Sequence, residues 1–311
     1  MDPKAIETLA VNAVRDSVVV SDFLDQFIAD NDKEPTWDGF VYIYSDKSKK
    51  KEKLKGRLPV QIKGTENDDF SKEEISFPVS TVDLNNYLCD GGAVFFVVYI
   101  GNNGASRQIY YAALPPIKLK IYLADAKEQK SKSIKLKKFP TDPNEKATIF
   151  LQCLEDCQKQ ASFADAPLLS LEELEHQGVL EGISIPVSTV GGTDPKTALL
   201  KNEVYIYAKV KGSAIPQPIE VIPQEMTTHE TLSAHVSIGD RLFYSTVNVF
   251  KSAMTTTTVF GESVSIKTSS NNETVKISYT RSDKLRTMIV DLDFWLSWIE
   301  AGSCLLYTSP S

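Results

Sequence analysis

The chain has 311 residues, with 34 Lys and Arg against 41 Asp and Glu and a formal charge of −7. That length exceeds one core of ordinary size, so two domains are expected. The negative balance excludes a protein that coats nucleic acid with its whole surface, because such binding rests on neutralising phosphates with Lys and Arg. No apolar run approaches the roughly 20 residues that cross a bilayer, and the opening MDPKAIETLA lacks the basic-then-apolar order of a signal peptide. A cytosolic protein without a membrane partner is expected.

Asp2 and Pro3 read as an N-cap and a first-turn proline, and Ile6, Leu9, Ala10, Ala13, Val14 and Val18 continue at helical spacing. The type of residues 23–28 is ambiguous. FVYIY at 40–44 is aromatic and β-branched, as strands prefer, and RLPVQIKG at 57–64 is a second strand, with a lysine-rich hairpin loop between them. STVDLNNYL, at 80–88, opens on Ser, Thr and Asp. AVFFVVYI at 93–100 is apolar on both faces, as in a strand inside a covered sheet. IYYAAL (109–114), IKLKIYL (117–123) and SIKLKKF (133–139) read as further strands. Asp142, Pro143 and Glu145 then start a helix carrying Ile149, Phe150, Cys153, Leu154 and Cys157 inward. That helix closes a first domain, 1–163, near Phe163.

From residue 164 the composition turns to Thr, Ser and Val. A short helix from Ser170 to Gln177 precedes the strands EVYIYAKV, RLFYSTVNVF, ESVSIKT and TVKISYT, with a turn at Ser270, Asn271 and Asn272. A mostly antiparallel β-rich domain over 164–303 is expected, serving recognition or a protein partner, with DFWLSWIEA opening a final helix. The last eight residues, CLLYTSPS, are what TGT CTC TTA TAC ACA TCT CCG AGC encodes, a transposon-based sequencing adapter read in frame. Residues 304–311 are therefore set aside, and the natural protein is expected to continue beyond about Ser303. The pentapeptide PVSTV occurs at 78–82 and 186–190 with unlike flanks, as coincidence or a shared turn.

Gln61 and Lys63 lie two apart on a strand and leave the same face, with Val60 and Ile62 on the other. Hairpin pairing brings Asp38, in TWDGF, beside them, and Glu7 on the first helix adds a carboxylate if that helix packs over the same edge. Carboxylates and an amide oxygen make a hard site suited to Mg²⁺ or Mn²⁺. Such an ion acidifies water and neutralises a phosphoryl oxygen, while an ammonium nearby orients the water or stabilises charge: phosphodiester hydrolysis.

The loop residues Lys47, Lys49, Lys50, Lys51, Lys53, Lys55 and Arg57, against Asp46 and Glu52, read as a phosphate clamp at the mouth of the site or as a solvated hairpin tip. Lys127 to Lys138 carries the same two readings. His176, His229 and His235 are scattered, Tyr42, Tyr44, Tyr110 and Tyr111 suit core packing as well as stacking on bases, and none is claimed for a site. Cys89, Cys153, Cys157 and Cys304 lack a CxxC spacing and read as packing thiols.

A helix glutamate, an Asp before a strand and Gln-x-Lys on the next is similar to the PD-(D/E)XK nuclease superfamily, and the Gln-x-Lys form resembles its Mrr-like branch. NDKEPTWDGFVYIY, GRLPVQIKGT, GGAVFFVVYI and IYYAAL further resemble the prokaryotic domain-of-unknown-function family 4365, over about residues 1–163. The resemblance implies a restriction-endonuclease-like α/β (α+β) domain with a central mixed sheet, a metal-dependent endonuclease favouring DNA, and a setting in antiphage defence. It makes Asp38 a metal ligand, Gln61 the replacement for the usual acid, Lys63 the catalytic lysine and Glu7 the helix glutamate. Because an amide binds Mg²⁺ less strongly than a carboxylate, the site leans on Asp38 and Glu7. The rival expectation is a non-catalytic nucleic-acid-binding or partner-binding module, since a fold does not fix function.

Overall fold

The computed structural model describes residues 1–29, 36–223, 226–269 and 274–301, together with the backbone of 306–308. The chain divides into two compact units, residues 1–198 with 202–223, and residues 199–201 with 224–311.

The first unit begins with α1 (Pro3–Val19), entered through extended backbone at Asp2 without a side-chain cap bond. The ambiguous segment is a strand, β1 (Leu24–Ile28). Next come β2 (Gly39–Tyr44), β3 (Leu54–Glu66), β4 (Glu74–Ser80), α2 (Thr81–Cys89), β5 (Ala93–Gly101), β6 (Ser106–Leu114), α3 (Pro116–Ala126), β7 (Ser131–Lys138) and α4 (Pro143–Gln160). The strands form one mixed sheet in the order β1-β2-β3-β5-β6-β7-β4, with β3 and β5 parallel and every other pair antiparallel.

β5 lies inside this sheet and is buried along both faces, as its unbroken apolar run requires. Val94, Phe96 and Val98 join a core with Val60, Ile62 and the inward residues of α1 and α4. Phe95 and Val97 join a second core with Leu84 and Tyr87 of α2 and Leu119 of α3. Cutting the fully buried Phe96 back to Ala would cost about 3–5 kcal/mol.

One segment without an assigned type is a helix, and one expected as a strand is also a helix. STVDLNNYL is α2, capped where the Asp83 N–H donates to Ser80 Oγ at 3.0 Å. IKLKIYL, expected as a strand, is the body of α3. Pro115 is extended, and Pro116 sits in the first turn, where its missing N–H is no loss. Ile117, Lys118 and Leu119 are all buried in succession, which strand alternation would not allow, and Lys118 is accommodated by an ion pair with Glu203 at 2.7 Å.

Compactness continues past the expected boundary near Phe163. Residues 164–198 and 202–223 add α5 (Leu171–His176), β8 (Leu180–Ser184), the start of α6 (Pro195–Lys201), β9 (Tyr207–Val210) and β10 (Gln217–Pro218), with an antiparallel sheet ordered β10-β9-β8. EVYIYAKV is a strand only over its last four residues. Buried polar groups of α4 hold this segment. Asp156 accepts from the Tyr207 hydroxyl at 2.7 Å and Gln152 Nε2 at 2.8 Å, Gln152 Oε1 accepts from the Ser188 N–H at 2.7 Å, and Gln160 Nε2 donates to Tyr207 at 3.0 Å. Burial pushes the Asp156 carboxyl up to about 6, against the two hydrogen bonds that favour its anion. The second PVSTV lies along α4 outside regular structure, whereas the first runs from β4 into α2, so the two share no turn.

The second unit carries an antiparallel sheet of β11 (Thr228–Ile238), β12 (Arg241–Lys251), β13 (Thr255–Phe260), β14 (Val264–Ser269) and β15 (Val275–Tyr279). The helix α7 (Leu285–Glu300) sets Phe294 and Trp298 against Val236, Val247 and Phe260, and a short strand β16 (Leu306–Thr308) pairs with β11. DFWLSWIE is thus the second half of α7 rather than its opening. The turn expected at 270–272 lies outside the described residues. Gly261 (φ +61°) is required because a Cβ there would stand 2.0 Å from Asp291 Oδ1, whose carboxylate accepts from the Tyr244 hydroxyl and the Glu262 N–H. No helix among the described residues is long and apolar enough to cross a membrane.

Candidate active site

β2 pairs with β3 only as far as Gly39 opposite Val60; beyond that point β3 continues to Glu66 with β5 as its one sheet neighbour. Asp38 takes over the flank that β2 has left. Its N–H donates to the Val60 carbonyl at 3.0 Å, and its Oδ2 accepts from the Ile62 N–H and from Gln61 Nε2, each at 2.6 Å. The following Gly39 (φ +143°) permits the turn into β2, since a Cβ there would lie 2.1 Å from the Phe27 carbonyl oxygen. An Asp-Gly pair therefore ends one strand contact and begins another.

Gln61 is 7% exposed, and Lys63, two residues along on the same face, is exposed and its ammonium makes no hydrogen bond or ion pair with a described residue. Behind the pair, Trp37 packs on Tyr87 of α2 with ring centroids 4.9 Å apart. Burial, and then the charges of Asp83 and Asp38, push the Tyr87 phenol well above its ordinary range. Of this aromatic backing the sequence carries one local signal, the Trp immediately before Asp38.

Glu7 stands four, seven and eleven residues before the buried Val11, Val14 and Val18, on the inward stripe of α1, yet is itself exposed. Its neighbour Ile6 rests on Gly64, where a Cβ would come within 2.7 Å of Ile6 Cγ2. Because α1 packs on the face of Ile62, Glu7 approaches β3 from the side opposite Gln61 and Lys63. The structure joins Asp38 to Gln61, sets Lys63 on the same face and keeps Glu7 on the other. Among the described residues, no three Asp, Glu, His or Cys side chains converge as a metal cluster.

The basic loop lies at the other end of the hairpin, where Tyr44 faces Leu54, about 20 Å from Asp38 along six-residue β2. It is not at the mouth of the site. Several of its cations are already engaged: Lys47 with Asp22 at 3.0 Å, Lys53 with Asp46 at 3.6 Å, and Lys49 Nζ with the Leu24 carbonyl at 2.5 Å. Arg57 sits 4.2 Å over the Phe40 ring, and Lys55 lines a shallow cleft against α4 with Leu154 and Glu155. Lys50 and Lys51 are exposed and unengaged among the described residues.

No family model, curated protein or solved structure matches the chain.

The remaining sequence candidates have ordinary surroundings. In the second lysine-rich stretch, Lys132, Lys135 and Lys138 pair with Asp125, Glu74 and Glu73 at 3.2, 3.3 and 3.4 Å. Tyr110 is buried in the second core, Tyr111 packs on Phe139, and His229 stacks on Phe250. Cys153 and Cys157 are buried in the first core.

Proposed function

We propose that the first unit hydrolyses phosphodiester bonds of nucleic acid, DNA by preference, with a divalent cation, as a PD-(D/E)XK nuclease of the Mrr-like kind. The observation that carries this reading is the contact of the Asp38 carboxylate with the Gln61 amide at the open flank of β3, with the exposed Lys63 ammonium on the same face. The donor set fits a hard ion such as Mg²⁺ or Mn²⁺. The orientation of an amide is assigned from its hydrogen bonds, and half a turn about the last side-chain bond puts Gln61 Oε1 beside Asp38 Oδ2, forming a chelating pair.

The cation, when bound, would acidify a water and polarise the phosphoryl group. The Lys63 ammonium, about 7 Å beyond Gln61 along the strand, would orient the attacking water or neutralise charge developing on the phosphate. Asp38, fixed by the Ile62 N–H, would hold its oxygens at the strand edge without a search through rotamers. Lys50 and Lys51 would grip the nucleic-acid backbone roughly six base-pair steps away. The second unit would recognise a target or a protein partner, in a defence setting.

The test is cleavage of labelled DNA and RNA with and without Mg²⁺ by the wild-type chain and by Lys63→Ala. Cleavage by the wild type alone, and only with metal, is expected. Salt-sensitive binding that survives Asp38→Ala, without cleavage of any substrate, would instead make the unit a binding module.

A further inference from the structure

α7 is apolar on two sides. One side is spent on the sheet of its own unit, through the buried Phe294 and Trp298. The other carries Leu285, Ile289, Leu292, Leu296 and Ile299, which are 68, 58, 41, 50 and 60% exposed. Their spacing of four, three, four and three residues is the repeat of a coiled-coil seam, which needs another helix lying along it. Val290, also exposed, widens the stripe. An apolar patch of this continuity is uncommon on a surface that faces only water.

We propose that this seam pairs antiparallel with the same seam of a second copy of the chain. The charges beside it decide the occupant and the direction. Arg286 and Glu300 flank the seam on one side, two heptads apart and opposite in sign. An antiparallel pairing crossing near the middle of the seam sets each Arg286 beside Glu300 of the other copy, twice over by symmetry. In a parallel pairing the two residues stand about 21 Å apart along the axis and cannot meet. Asp293, midway on the same flank, would face its own copy across the axis, but Arg241 of the same chain already forms an ion pair with it. Two four-turn helices reach only the lower edge of specific interfaces, about 1,000 Å² in total, so micromolar dimerisation is expected.

Sedimentation velocity of the 311-residue chain between roughly 1 and 100 µM tests the proposal. The wild type is expected to pass from monomer to dimer, and Leu292→Glu to stay monomeric with an unchanged far-ultraviolet spectrum, since Leu292 lies on the exposed side. Arg286→Glu should weaken the dimer several-fold, and Arg286→Glu combined with Glu300→Arg should restore it. A wild type that is monomeric throughout, or a dimer indifferent to Leu292→Glu, would overturn the proposal. A dimer whose charge-swapped double variant fails to recover would overturn its antiparallel direction.

Discussion

The first unit contains the same chemical pair twice, an aspartate accepting from a glutamine amide, in opposite surroundings. Asp156 and Gln152, 2.8 Å apart, lie inside the fold, where the Tyr207 hydroxyl and the Ser188 N–H complete their bonds and fasten residues 164–223 to α4. Asp38 and Gln61, 2.6 Å apart, lie where β2 leaves β3, with an exposed lysine on the face that Gln61 shares. Enclosure turns the first pair into a fastening and raises the carboxyl's proton affinity. The second pair is partly buried and shares its face with the exposed Lys63, and on the proposed reading it meets a phosphate and a metal. On the proposed reading, what separates a structural pair from a reactive one is its position relative to the end of a strand, not the residue types.

The largest effect is expected at Lys63. Lys63→Ala is expected to slow metal-dependent cleavage about 10²–10³-fold while leaving unfolding unchanged, as read by single-turnover rates and urea titration. A smaller effect belongs to the interior pair and to pH. Asp156 holds its proton up to about 6 when folded and to 3.8 when unfolded, so its contribution is complete below pH 4 and declines as pH rises to 6, reaching about 3 kcal/mol in total. Asp156→Asn lacks that titration. Urea unfolding at pH 4 and pH 7 should show the variant gaining on the wild type by that order, and a pH-independent difference would mean that the carboxyl ionises freely.

Gln61→Glu sharpens the contrast at the rim. A second carboxylate beside Asp38 should lower the Mg²⁺ concentration for half-maximal cleavage about fivefold, because an anionic oxygen binds a hard cation more tightly than an amide. The smallest effect is expected furthest from the site. Replacing Lys50 and Lys51 by Ala should reduce the slope of log affinity against log salt by about 2 and leave the cleavage rate at saturation unchanged. An unchanged slope would reduce the loop to a solvated hairpin tip.

Part of this was legible in the sequence for physical reasons. AVFFVVYI could be read as a covered strand because both of its faces are apolar, and Gln61 with Lys63 because a strand repeats every two residues. The alternation of Ile117, Leu119, Ile121 and Leu123 misled, because what makes α3 a helix is a proline start and an ion pair to Glu203, 85 residues away. Gln152, Asp156 and Gln160 follow one another at four-residue intervals, the spacing of a polar helix face, but that face is covered by residues whose partnership is not visible locally. A run of lysines likewise reports charge but not which end of a hairpin it occupies.

The role of Lys63 is decided by one side-by-side assay: cleavage of a labelled DNA duplex in Mg²⁺ by the wild type, Lys63→Ala and Asp156→Asn. The wild type and Asp156→Asn are expected to cut at similar rates below their unfolding temperatures, with Lys63→Ala slowed at least about 100-fold. Equal loss in both variants, or equal activity in all three proteins, would contradict it.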